Sequence, residues 1–152
     1  MDATDIALRL GAALLIGVAL GLNRYLHHKS IGVRTLGLVS VASAAIVMSV
    51  LDVATAESAT RVIQGLVTGV GFIGGGLIMR NPSEQAVHGL TTATTVFVSA
   101  VIGILCGLGV WPILLPAAAI IGVLLVFGGD FEKAVARRYV EPDAKKEDHS
   151  EE

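Results

Sequence analysis

The chain has 152 residues, of which 53% are hydrophobic and 16% charged, and its mean hydropathy is +0.74. About a quarter of the residues in an ordinary soluble domain are charged, so this composition excludes one and points to an integral membrane protein. The net charge of -2 and the lack of a basic cluster inside an apolar segment argue against nucleic acid as a partner, and the single cysteine, Cys106, excludes an internal disulfide or a paired-cysteine metal site.

The N-terminal stretch Met1 to Asp5 has two aspartates and no basic run, so the first apolar segment is expected to be retained and not cleaved as a signal peptide. Five apolar segments follow, at about Ile6–Leu22, Thr35–Leu51, Val62–Met79, Leu90–Leu108 and Val110–Phe127. Each is long enough, at 1.5 Å per residue, to cross most of a bilayer core. The expected fold is all-α, a polytopic transmembrane bundle of about five spans occupying residues 1–129. In the tail, 130–152, Phe131, Val135 and Tyr139 recur at helical spacing and predict a short amphipathic continuation. The polar run beyond Pro142 is too poor in apolar residues to fold alone.

Basic residues gather in alternate loops. Arg24, Lys29 and Arg34 lie between the first two segments, and Lys133, Arg137, Arg138, Lys145 and Lys146 lie in the tail, whereas the other side holds Arg61. The positive-inside rule therefore places the N-terminus outside and the tail in the cytoplasm. Trp111 at the outer turn and Tyr25 at the inner face fit interfacial anchors.

The third segment, VIQGLVTGVGFIGGGLIM, has no charge and six glycines. On a helical period Gly65, Gly69 and Gly76 fall on one side and Gly71, Gly74 and Gly75 roughly opposite, so it is expected to be the central helix, touching neighbours on both faces. Gly69 to Gly74 also reads G-x-G-x-x-G. A dinucleotide-binding turn needs a strand before it, an amphipathic helix after it and an acidic residue about twenty positions on; none is present, so no nucleotide cofactor is expected.

Between Asp5 and Asp130 the only acidic residues are Asp52, Glu57 and Glu84, all in expected loops. Proton relays and Mg²⁺ paths usually employ carboxylates at membrane depth, so neither is indicated. His27, His28 and His88 lack the spacing of a metal motif, and no nucleophile with a visible base suggests an enzyme. Arg9 is the one ionisable residue inside an expected span and is read as snorkelling to the headgroups, with an anion or partner contact as the alternative. Thr91, Thr95 and Ser99 share a helix face and are read as packing residues. Asn23, Arg24, Arg34, Thr35, Arg80 and His88 all fall at the expected inner edge, where they could converge.

Four stretches, GLNR at Gly21 to Arg24, IGVRT at Ile31 to Thr35, GVGFIGGG at Gly69 to Gly76 and HGLTTATT at His88 to Thr95, resemble in order and spacing the successive motifs of the MgtC/SapB family, as do Arg9 and Leu10. The resemblance implies a multi-pass bacterial inner-membrane protein linked to growth at low magnesium and, in pathogens, to survival in the host. It implies action by binding other membrane proteins, the ATP synthase among them, without carriage of magnesium. Carried over by motif, the residues expected to matter are Arg9, Asn23, Arg24, Arg34, Thr35, Gly69, Gly71, Phe72, Gly74, Gly76, Gly89, Leu90, Thr91 and Thr92. No cofactor or metal is implied; the lipid bilayer and other membrane proteins are the expected partners, with self-association left open. The family usually has Glu where this chain has Asn23, which removes a charge partner for Arg24. Larger members carry a soluble C-terminal domain, so virulence-type activity depending on it is not expected of the short tail. The competing class is a small transporter or channel, with Gly74, Gly75 and Gly76 breaking the third helix.

Overall fold

A computed structural model describes residues 1–26, 31–51, 55–80 and 87–139 of the chain. Expectations that rest on His27, His28, Asp52, Glu84 and the tail beyond Tyr139 lie outside the described residues. Five helices follow one another: α1 (Ala3–Leu26), α2 (Val33–Leu51), α3 (Ala56–Leu77), α4 (Leu90–Leu108) and α5 (Trp111–Tyr139). Between α3 and α4 the two-residue strands β1 (Met79–Arg80) and β2 (Val87–His88) pair antiparallel, Met79 opposite His88.

The ends of the helices have local causes. Helix α3 starts six residues before the apolar run because Thr55 caps it, accepting a hydrogen bond from the Ser58 N–H, and Glu57 pairs with Arg61 one turn on. Helix α4 ends at Gly109, whose φ of 71° suits glycine; its N–H is directed at the Leu105 and Cys106 carbonyls. Pro112 falls in the first turn of α5, where its missing N–H has no partner to lose.

Four stretches, α1, α2, α4 and Trp111–Gly129 of α5, are long and apolar enough to cross a bilayer, so the chain is a membrane protein. Helix α3 covers the third expected span but falls below that measure, because Arg61, Gln64, Thr68 and its glycines dilute the apolar residues. It runs unbroken through Gly74, Gly75 and Gly76, so the break expected of a transporter-like third helix is absent.

The chain divides between Ala118 and Ala119 into two compact units. Helix α5 continues through residue 129 without a stop. In the first unit the central element is α4, not α3: 61% of its apolar window is buried, against 39% for α2 and 22% for α1. Leu36, Val47, Val96, Ile102, Cys106 and Leu114 form the fully buried core.

Glycine seams hold this core, on faces other than those expected. A Cβ at Gly17 would stand 3.0 Å from the Leu36 carbonyl oxygen, and one at Gly21 2.4 Å from Val33 Cα, so α1 runs antiparallel against α2 at backbone contact. On α4, a Cβ at Gly103 would stand 2.1 Å from the Ser40 carbonyl oxygen and one at Gly107 2.8 Å from that of Ala44. With Ser99 Oγ donating to the Leu36 carbonyl at 2.7 Å, these contacts ascend together and make α2 and α4 parallel. Helix α3 descends beside α4, with Gly74 against Ala93 and Leu77 against Gly89. By contrast, a Cβ at Gly65, Gly69, Gly71, Gly75 or Gly76 would meet no atom within 4 Å. The expected seam through Gly69 and Gly76 is therefore not formed within the described chain, because α3 turns its apolar side, with Val70 and Gly74 buried, toward the bundle.

Candidate functional site

The residues singled out from the sequence fall into three places. The first is the end of the bundle where α1 and α3 finish and α2 and α4 begin. Gly21 lets Val33 close onto α1, which puts the start of α2 beside the last turn of α1. Arg24 in that turn is buried, only 5% exposed, and its Nη2 donates to Thr92 Oγ1 in the first turn of α4. Two motifs 68 residues apart in sequence thus meet through one hydrogen bond. Arg24 Nε, also buried, has no hydrogen-bond partner among the described residues. No carboxylate pairs with Arg24 among those residues either; Asp5 belongs to Arg9 and Glu57 to Arg61.

The first turn of α4 is held by Gly89, whose φ of 90° favours glycine and whose Cα lies so close to Leu77 that a Cβ would stand 2.0 Å from that carbonyl oxygen. No side chain caps this turn. Leu90 and Thr91 are exposed while Thr92 is buried. Thr95 donates to the Thr91 carbonyl at 2.7 Å and Ser99 to α2, so these hydroxyls are occupied by backbone. Asn23 is half-buried, and Arg34 and Thr35 are exposed on the first turn of α2. Arg34 and Thr35, with Leu22, Tyr25, Gly32 and Val33, line an open recess of about 380 Å³. The side chains of Arg80 and His88 lie outside what is described, so their convergence here is not established.

The second place is the opposite end. Here Arg9 Nε donates to Asp5 Oδ1 at 3.0 Å and its Nη1 to the Gly107 carbonyl at 2.8 Å, so groups of the chain at this end engage the guanidinium. A cation on the last carbonyls of α4 complements the negative end of that helix, and the Asp5 carboxylate balances its charge.

The third place is the outer face of α3. Phe72 is 85% exposed, and Gly69, Gly71 and Gly76 lie open around it, while Val70 and Gly74 of the motif face inward. This face also carries Gln64 and Thr68, the latter bonded to the Gln64 carbonyl. Among the described residues no group of three or more His, Cys, Asp or Glu side chains could hold a metal ion.

Sequence reasoning missed Gly17, Gly21, Gly103 and Gly107. Their signal was present as two G-x-x-x-G pairs, the spacing at which small residues let two membrane helices touch.

Comparisons with known proteins agree on one family. The profile described as the MgtC family matches residues 10–134. The protein SrpB of Synechococcus elongatus is 35% identical over 122 residues, 72% of this chain and 67% of its own length. The protein MgtC of Salmonella typhimurium is 40% identical over 114 residues, 75% of this chain and 48% of its own length, and that of Brucella abortus is 38% identical over 117 residues, 77% and 47%. The chain thus spans about half the length of these MgtC relatives and two thirds of SrpB. No solved structure matches it.

Proposed function

Because the chain belongs to the MgtC family, we propose that it is a multi-pass protein of the bacterial inner membrane that regulates other membrane proteins by binding them, in adaptation to low magnesium or to stress in a host. The observation that carries this reading is the outer face of α3. A membrane helix that turns glycines, Gln64 and Thr68 away from its own bundle presents to lipid the groups that lipid satisfies least, and a partner helix satisfies them by close approach and hydrogen bonding. Phe72, standing out from that face, supplies a side chain for a partner to enclose. Catalysis is not part of the proposal, since no set of described residues has the geometry of nucleophile and base. Magnesium carriage has little support: the carboxylates whose side chains are described are Asp2 and Asp5 at the start of the chain and Glu57 in the first turn of α3, all at helix ends.

The test is capture of partners from native membranes by the parent chain and by Gly69→Leu and Phe72→Ala, with the ATP synthase as the first partner to look for. Both variants are expected to melt like the parent and to lose partners in common. Retention of every partner by both variants, or Mg²⁺ flux through the purified chain in liposomes, would overturn the proposal.

A further inference from the structure

Among the described residues neither Arg24 nor the first turn of α4 has a counter-charge, and the two lie at the same point. The guanidinium is 5% exposed, touches Thr92 through Nη2, leaves Nε without a partner and has no described carboxylate beside it. Thr92 is the third residue of α4, a helix of 19 residues. The N–H groups of Leu90, Thr91 and Thr92 precede the first intrahelical bond, which Ala93 makes to Gly89. The N-cap, Gly89, has no side chain to cap them, and the aligned peptide dipoles make this end positive. Among the described residues no carboxylate cancels that field: Asp5 is at the far end of α1 and Glu57 at the far end of α3. Arg34, exposed on the first turn of α2, adds a positive charge at the same end.

A buried cation with an unused donor, set against an uncapped helix start, is the arrangement that binds oxyanions. We propose that Arg24, the Thr92 hydroxyl and the first-turn N–H groups of α4 form a binding site for a phosphate-type oxyanion. The exposure of Leu90 and Thr91 leaves the turn open to approach from outside the bundle. Thr92, which accepts from Arg24, retains its own proton to donate. Arg24 approaches through the edge of the guanidinium that Thr92 does not occupy. The phosphate of a lipid headgroup and free phosphate share this chemistry, and the site lies at a bundle end, within reach of both.

The test uses the full chain in a neutral detergent at fixed ionic strength. Melting is followed while inorganic phosphate is titrated in one arm and phosphatidic acid in the other, with chloride and phosphatidylcholine as controls. Saturable stabilisation is expected in at least one arm, and the arm that responds identifies the source. Thr92→Val should weaken binding about tenfold, as expected when one charge-assisted hydrogen bond is lost. Arg24→Gln should abolish it, and Arg9→Gln, which removes the same charge at the opposite end, should leave the affinity unchanged. If Arg24→Gln does not fold, Thr92→Val decides. No saturable effect in either arm, equal affinity in Thr92→Val, or loss in Arg9→Gln overturns the site. So does tighter binding in Glu84→Gln, which would mean that a carboxylate of the chain already serves as the anion.

Discussion

Replacing Gly103 with alanine tests where the chain is most closely packed. The new methyl carbon would stand 2.1 Å from the Ser40 carbonyl oxygen and 2.8 Å from Ser43 Cβ. Carbon and carbonyl oxygen settle at about 3.3 Å or more, so α2 and α4 must separate by roughly 1 Å. Overpacking costs about 1–3 kcal/mol, and because the obstacle is backbone, which cannot swing aside, the upper part of that range applies. Alanine restores up to about 1 kcal/mol of helix propensity, leaving a net loss of about 1–2 kcal/mol. Gly69→Ala provides the contrast: its methyl meets nothing within 4 Å, so it should be neutral or stabilise by up to about 1 kcal/mol. The two variants should therefore differ by about 2–3 kcal/mol in an SDS-unfolding titration in mixed micelles, read by Trp111 fluorescence and circular dichroism. If Gly103→Ala unfolds with the parent, or Gly69→Ala unfolds first, the placement of the seam on α4 is wrong.

Arg9→Gln should cost about 1–3 kcal/mol, since it strips the Gly107 carbonyl of a charged donor and leaves Asp5 unpaired; an added Asp5→Asn should recover part of that loss in the same titration. Ser99→Ala should destabilise by about 1 kcal/mol through its lost bond to the Leu36 carbonyl, whereas Ser40→Ala should be neutral or stabilising because that buried hydroxyl has no partner; equal losses in the two would refute the assignment. The loop charges predict a cytoplasmic C-terminus, so a reporter fused after Glu152 should be active only if it works in the cytoplasm, and activity of a periplasm-only reporter there would reverse the orientation.

Helix number and type were legible because apolar runs of spanning length leave little choice of structure in lipid. Two of the motif stretches also meet at one end of the bundle, where Arg24 donates to Thr92. The faces of the helices were not legible. Six glycines crowded into α3 drew attention to it, yet a glycine forms a seam only when its side of the helix meets another backbone. That is settled by the neighbours' shapes: Val70 and Gly74 turned inward on α3 leave Gly69 and Gly76 outside. On α4 the paired Gly103 and Gly107 lie directly on α2, at a spacing carried by only two residues. The partner of Arg9 was likewise out of reach, because its carbonyl acceptor is 98 positions away and carbonyls leave no trace in a sequence.

The parallel course of α2 and α4 bears on how the protein is made. Two parallel helices in one bilayer oblige the chain between them to travel back across it, and among the described residues α3 is the helix there to do so. The described α3, ending at Leu77, falls below the apolar measure that the other four stretches meet. Its insertion during synthesis is therefore expected to draw on α4, whose Ala93 receives Gly74 and whose start receives Leu77. A chain truncated after Leu77 is expected to insert α3 less completely than one that continues through α4.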